Sequence, residues 1–311
     1  MQLAIVIPAY KATFLSETLH SLTIQKIKDF NVYIGDDASP EDILSIVSFF
    51  KSSLNIIYNR FDKNEGGKDL AFHWRRCINM VQDEQWIWLL PDDDVASPDC
   101  VSAFLNSCTA DKEQKKLYRF HTAHIDSSSK LIRETLKCPP LESNIDFFLN
   151  KLQFKRNSSI AEYIFSKHRY YDVGGFESLP LAWGSDDLLW IKLSQDDDIF
   201  TLPYGKVFLR QSNLNISNDL NKYAVQKIEA KYLFLELVVN NILFMQKLEQ
   251  HINMSEFKKI IIYNLFSEYR SHNFHFLNFN LFHFARKNNM LIGGGLLKNM
   301  YRLIRFEFSY L

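Results

Sequence analysis

The sequence predicts an α/β fold, a mainly parallel sheet with helices on both faces, followed by a helical C-terminal extension. Three observations predict it. Over residues 3 to 90, short apolar runs alternate with stretches of helical period, the pattern of repeated βαβ units. From 117 to 135 two runs flank a turn and read as a hairpin, which adds α+β packing to the sheet edge. From about residue 220 the period becomes helical throughout.

Ala4-Ile5-Val6-Ile7 reads as the first strand, and Leu15, Leu19 and Leu22 then fall on one helical face. Asn31 to Gly35 is the second strand. The segment Ser39-Pro40-Glu41-Asp42 starts a helix that carries Ile43, Ile46, Val47 and Phe50 inward. Asn55 to Tyr58 is the third strand, Leu70 to Val81 the third helix, and Trp86 to Leu90 the fourth strand. Parallel strands joined by helices wind right-handedly and collect ligands at their carboxyl ends, where Pro8, Asp36, Asp37 and Asp92 to Asp94 all fall. Leu117 to Ile125 and Lys130 to Thr135 form the hairpin around Asp126 to Ser129. A Gly174-Gly175-Phe176 turn leads to Trp183-Gly184-Ser185-Asp186-Asp187, where an acidic pair starts a helix. Val225, Ile228, Tyr232, Leu235, Val239 and Ile242 make a long apolar stripe beyond. The expected division is residues 1–218 and 219–311.

With 311 residues and 47% hydrophobic content, the chain can bury one large core with an appendage. Lys plus Arg balance Asp plus Glu at 36 each, so no bulk basic surface suits a nucleic acid. Cys77, Cys100, Cys108 and Cys138 show no CxxC pairing and read as buried thiols of a reducing compartment. The N-terminus enters a strand without a signal-peptide pattern, so secretion is not expected. The most apolar stretch, Tyr232 to Met245, is interrupted by Glu236, Asn240 and Asn241 and is too short to span a membrane.

Asp92-Asp93-Asp94 is the most informative motif, because it sits where a buried strand ends. Two like charges at such spacing repel by about 4 kcal/mol at an effective dielectric near 20, and a hard divalent cation, magnesium or manganese, offsets that repulsion. A solvated acidic loop before the Ser97-Pro98-Asp99 helix start is the plainer alternative. Asp36 and Asp37 end the second strand and suit the N–H of a nucleobase or the hydroxyls of a ribose; they equally suit a turn feeding an N-cap. Pro8 and Tyr10 could wrap a flat base. Lys68, Arg75 and Arg76 could neutralise a diphosphate, although arginines on a helix are more often a solvated face. Asp186 and Asp187 are either a helix cap or a second acidic centre. His272, His275 and His283 have no metal-ligand spacing. Leu297, Met300, Tyr301, Ile304 and Phe308, opposite Lys298, Arg302 and Arg305, make a basic amphipathic pattern over 296–308 that suits either peripheral membrane contact or ordinary packing.

Taken in order, IVIPAYKATFLSETLHSLTIQ, YIGDDASPEDI, Asn64-Glu65-Gly66-Gly67, LLPDDDVASPD and VGGFESLPLAWGSDDLLWIKL resemble the family 2 glycosyltransferases of the GT-A fold, over residues 2 to 218. The resemblance implies a nucleotide-diphosphosugar donor, a divalent metal and inversion at the anomeric carbon. It places Pro8 and Asp37 against the base, Asp92 near the ribose or sugar, Asp93 on the metal with Asp94 beside it, and Asp186 as catalytic base, with Asp187 as its one-residue alternative. It also implies a glycan or lipid-linked acceptor, a part in bacterial surface polysaccharide synthesis, and a cytoplasmic setting at the inner face of the membrane. The sequence departs from the family pattern at Pro91, where an Asp is usual, at Ser185-Asp186-Asp187, where Glu-Asp is usual, and at AFHWRRCIN after the glycines. Two other functions fit parts of the chain: an aspartate-nucleophile phosphatase using Asp92-Asp93-Asp94-Val95, and a non-catalytic glycan-binding relative.

Overall fold

A computed structural model gives the structure of the chain and describes residues 3–111, 115–212 and 223–271. It divides into two compact units, Met1–Ala230 and Lys231–Leu311. The boundary expected near residue 218 lies outside the described residues.

The first unit is built on β1 (Leu3–Ala9), β2 (Phe30–Asp36), β3 (Ile56–Arg60) and β4 (Trp86–Leu89), interleaved with α1 (Leu15–Thr23), α2 (Ile43–Phe50) and α3 (Leu70–Ile78). These strands pair in parallel in the order β3-β2-β1-β4. All four residues of β4 and all but one of β1 are buried, as expected of strands covered on both faces. Alternation sorts the faces. Ile5 and Ile7 of β1 and Val32 and Ile34 of β2 join a core with Leu15, Leu19 and Leu22 of α1 and Ile43 and Val47 of α2. On the opposite face Gly35 packs against α3, where a Cβ would lie 2.3 Å from the Cys77 sulfur, so only glycine permits this approach.

Helices α2 and α3 begin at side-chain caps. Asp42 accepts the Ser45 N–H at 3.0 Å for α2, and Asp69 accepts the Phe72 N–H at 2.9 Å for α3. Helix α3 ends at Ile78, three residues before the predicted Val81, because the chain turns there: the Met80 N–H bonds the Cys77 carbonyl at 3.1 Å.

Beyond β4 the sheet becomes mixed. β5 (Val95–Ala96), α4 (Cys100–Ala110), β6 (Leu117–Ile125), β7 (Leu131–Glu134), β8 (Leu141–Glu142), α5 (Asn144–Leu152), β9 (Tyr163–Ser166), α6 (Lys167–Asp172), α7 (Ser185–Leu193) and β10 (Ile199–Arg210) follow. The sheet runs on from β4 through β9, β6 and β10 to β5. β9 is antiparallel to both β4 and β6, whereas β10 is parallel to β6. The predicted hairpin is β6–β7, closed by Asp126, whose carboxylate accepts the Ser128 and Lys130 N–H groups.

Helix α8 (Ala224–Val239) crosses the division between the units, and α9 (Ile242–His251) and α10 (Met254–Ser271) belong to the second. That unit buries Phe234, Leu235, Val238, Phe244, Leu248, Phe257, Ile261 and Leu265. Of the expected long stripe, Ile228 and Leu235 are buried, but Val225 and Ile242 are exposed. The stripe breaks because Asn241 caps a new helix, accepting the Phe244 N–H at 3.1 Å. Among the described residues, no helix is long and apolar enough to cross a membrane. His272, His275, His283 and the basic pattern at 296–308 lie outside them.

Candidate functional site

Register places the site. Val6 of β1 lies opposite Leu89 of β4, and the Leu90 N–H bonds the Val6 carbonyl at 2.9 Å, so the Asp92–Asp94 turn arrives level with the end of β1. There Asp92 Oδ2 accepts the N–H groups of Tyr10 at 2.8 Å and Lys11 at 2.9 Å. Burial, then the charge of Asp93, raises the Asp92 carboxyl to about 6, against the pull of those two amides. Asp94 is buried; the Arg210 N–H donates to its Oδ1 at 2.9 Å, and burial with the Asp93 charge holds it well above the usual carboxylate range. Asp93 is half-buried, and its carbonyl accepts from Arg210 Nε at 2.9 Å. Thr18 of α1 donates its hydroxyl to the Asp94 carbonyl at 2.8 Å.

The arginine that braces this turn was not foreseen. Arg210, the last residue of β10, is 2% exposed, and its guanidinium also donates to Glu17 Oε2 at 2.8 Å and to the Asp126 carbonyl and Ser129 hydroxyl at 3.0 Å each. It lies 4.3 Å from the Phe14 ring. The acidic turn, α1 and the β6–β7 hairpin are thus tied to one strand end. Nothing local in the sequence marks Arg210, because its partners are 81 to 193 residues away.

The second strand end is spent largely on the protein itself. Asp36 is fully buried; it accepts the Tyr58 hydroxyl at 2.6 Å, Arg60 Nη1 at 2.8 Å and the Ser39 N–H at 2.8 Å. Both Asp36 oxygens are thus engaged by the protein itself. Asp37 is 2% exposed and grips the Asn64–Gly67 loop, accepting the Glu65 N–H at 2.9 Å, the Gly66 N–H at 2.8 Å and a short bond from Arg76. A Cβ on Gly66 would meet Asp37 Oδ2 at 2.5 Å, which explains the glycine. Pro8 is half-buried beside Gly35, and Tyr10 is exposed with its carbonyl accepting the Ser39 hydroxyl. The Arg75 guanidinium donates to the Phe176 carbonyl at 2.8 Å and the Ser178 hydroxyl at 3.0 Å, fastening α3 to the loop before α7. Lys68 stands exposed where that clamped loop enters α3.

That loop reaches α7 through Leu181 (φ 59°), Ala182 (φ 53°) and Gly184 (φ 85°), three left-handed residues within four positions. For the two with side chains this conformation costs about 1 kcal/mol or more each, and such strain persists where surrounding structure enforces a geometry. It delivers Asp186 and Asp187 to the first turn of α7. Asp187 is 9% exposed, and its Oδ2 pairs with Lys151 Nζ of α5 at 2.8 Å. Asp186 keeps a partly open surface, although protein hems it in closely; burial, then the neighbouring Asp187 charge, raises it to about 7 against the pull of Lys151. Asp187 Oδ1 and the Trp190 indole N–H are buried without a hydrogen-bond partner.

Both acidic sets lie at one end of the sheet. β9 runs antiparallel beside β4, with Ile164 opposite Trp88, so Glu162 and Tyr163 at its start sit at the carboxyl end of β4. Tyr163 stacks on Trp190 of α7, ring centroids 4.3 Å apart. Glu162, buried and raised to about 7 by that burial, caps its own turn by accepting the Ser159 N–H at 2.8 Å. Lys151 and Glu162 were not singled out in the sequence, where neither falls in an acidic or glycine-rich motif.

Hard carboxylate oxygens crowded at Asp92–Asp94 fit a cation of the magnesium or manganese class, which would offset the burial and the mutual repulsion that raise Asp92 and Asp94. Among the described residues no three ligating side chains converge on a point. Asp93, with Asp94 beside it, would hold the ion as the resemblance implies, and donor phosphate and water would complete its shell.

Comparison with known proteins agrees with this architecture. The family model described as glycosyl transferase family 2 matches residues 4–160. Poly(ribitol-phosphate) beta-N-acetylglucosaminyltransferase TarS of Staphylococcus aureus, from strains Mu50 and MW2, is 21% identical over 241 residues. Those matches cover 75% of this chain and 37% of the relative, so the chain spans little more than a third of the length of the curated relatives it matches. A crystal structure of S. aureus TarS residues 1–349 with UDP-GlcNAc superposes with a TM-score of 0.63 at 14% identity, covering 93% of this chain and 88% of that one. GalNAc-T7 with UDP, GalNAc and Mn2+ gives 0.58 at 9% identity, covering 93% and 54%. At such identities the superpositions speak for the fold, which is that of GT-A glycosyltransferases. The aspartate-nucleophile alternative gives way to the family match and to an Asp92 oxygen already bonded to two amides. With its fold, its acidic strand-end turn and half of its length in agreement, the chain belongs to glycosyl transferase family 2.

Proposed function

We propose that this protein moves a sugar from a nucleotide diphosphosugar, a UDP-sugar, to a hydroxyl of a glycan or lipid-linked acceptor, with inversion, in bacterial surface polysaccharide assembly at the cytoplasmic face of the membrane. Asp186 carries the reading: a carboxylate at a helix head, partly open, with no salt bridge among the described residues and poised near neutrality beside an ion-paired neighbour. A relative whose structure holds UDP-GlcNAc, and another that holds UDP with Mn2+, support the donor class.

In this scheme Asp186 accepts the proton of the acceptor hydroxyl while that oxygen bonds the anomeric carbon. The bond from that carbon to the diphosphate oxygen breaks on the opposite face, and its electron pair leaves with the nucleoside diphosphate. A divalent cation, when bound, offsets the charge on that leaving group. Asp92 holds the β1 end and the acidic turn together through the Tyr10 and Lys11 amides. Pro8 and Tyr10 flank the base position, Asp37 fixes the loop beneath it, and Lys68 offers a cation toward the phosphates.

The test is Asp186→Asn. A positioned base typically contributes 10² to 10⁴-fold, about 3 to 5 kcal/mol, so turnover should fall by that factor while UDP binding stays near wild type. Asp187→Asn should be milder. A thermal-shift panel of UDP, GDP, CDP and dTDP, each with and without manganese, identifies the nucleotide. Retained turnover in Asp186→Asn would remove the base assignment.

A further inference from the structure

We propose that Lys151 of α5 is a positioning residue for catalysis: by holding Asp187 in a buried ion pair it keeps the adjacent Asp186 unpaired and facing the acceptor. This rests on the assignment of Asp186 as base.

Two carboxylates adjacent in sequence at a helix head are nearly interchangeable, and something must decide which one meets substrate. Lys151 decides it by geometry. Its ammonium lies 2.8 Å from Asp187 Oδ2, Asp187 is 9% exposed, and Asp187 Oδ1 finds no donor. α5 and α7 pack together, and Asn144 at the start of α5 donates to the Ile191 carbonyl of α7, so the lysine is delivered by a fixed element rather than by a loop. Other charged and titratable groups surround the pair. Glu162 and Tyr163 face it from the start of β9, with Arg119 of β6 acting on those two, and Lys227 of α8 lies over the Trp183 ring just before α7. Lys151 is the group that meets Asp187 as an ion pair, at 2.8 Å.

The Asp186 environment follows. Burial first, and then the charge of Asp187, raise Asp186 more than the lysine lowers it, so Asp186 rests near 7 instead of near 4. Burial disfavours the charge on Lys151, but Asp187 and then Asp186 more than compensate, and the ammonium stays protonated. Lys151 therefore neither gives nor takes a proton in turnover. Its work is to occupy Asp187.

This arrangement makes a directional prediction about the milder variant. In Asp187→Asn, Asp186 loses the like charge that raises it, and Lys151 loses its partner and turns to Asp186. Both changes lower the base, so the acid limb of the pH profile of kcat/KM should move down by about one pH unit or more. With the base drawn into a salt bridge, kcat should fall about tenfold. Removing the lysine as well, in Lys151→Gln with Asp187→Asn, frees Asp186. The limb should move back up and kcat should recover relative to Asp187→Asn alone, while Lys151→Arg should keep the wild-type limb. Donor affinity and melting temperature, measured alongside, show that each variant folds. An unmoved limb in Asp187→Asn, or a double variant worse than both singles, would overturn the proposal. Its failure is separable from that of the base assignment, which only Asp186→Asn reports.

Discussion

Asp186, Asp187 and Glu162 are three acidic groups near one helix head, and each is handled differently: left open, ion-paired, or buried as a cap. Glu162 gives a test of that electrostatic picture without touching the chemistry. Its carboxyl, ordinarily near 4.5, binds its proton up to about 7 in the folded chain, so the stability it contributes is full below its unfolded value and is lost as pH rises through 7. Glu162→Gln keeps an acceptor for the Ser159 N–H and does not titrate. Its stability relative to wild type, measured by urea unfolding, should improve by about 3 kcal/mol between pH 4 and pH 8. A pH-independent difference would show that Glu162 ionises normally. At this scale the sequence was uneven. That Asp92 to Asp94 follow a strand end and Asp186 opens a helix was legible, because acidic runs at such ends are local patterns. The partners of Asp36 and Arg75 were not, because sequence spacing cannot say that Tyr58, Arg60, Ser178 and the Phe176 carbonyl meet them.

Among the elements, β10 has the largest unforeseen role, since its last residue locks the acidic turn from the far side of the sheet. Arg210→Met should remove the guanidinium from the Asp93 carbonyl, from the Asp126 carbonyl, which keeps the Ser129 N–H, and from Glu17, which keeps the Ser129 hydroxyl. A loss of about 3 kcal/mol in stability is expected, together with weaker donor binding because the turn is no longer braced. Chemical denaturation and a UDP titration check the two effects; an unchanged donor affinity would mean the turn holds itself. The strands and helices from β1 to β4 were readable to within about three residues at their ends, because period and caps are local. Of the mixed half of the sheet, the β6–β7 hairpin was readable and the rest of the pairing was not. That Glu142 of the two-residue β8 buries between Arg119 and Arg156, at 2.6 and 2.8 Å, depends on pairings over tens of residues that leave no periodic trace.

For the whole molecule, the site belongs to the first unit, while the second supplies a separate helical core. The amphipathic pattern at 296–308 lies outside the described residues, and its proposed membrane contact is tested on the full chain. Sedimentation with anionic liposomes should pellet the wild type, and Lys298→Glu with Arg302→Glu and Arg305→Glu should abolish it, since each basic residue near an anionic surface is worth about 1 kcal/mol. Equal pelleting of both, or none, would assign the pattern to ordinary packing. The central claim, a metal-dependent nucleotide-sugar site on the Asp92–Asp94 turn, is met most directly by calorimetric titration of UDP into the full chain, with and without manganese, for wild type and Asp93→Asn. Wild type should bind UDP far more tightly with manganese, and Asp93→Asn should bind at the metal-free level in both conditions. An affinity that ignores manganese, or a manganese dependence that survives Asp93→Asn, would contradict it.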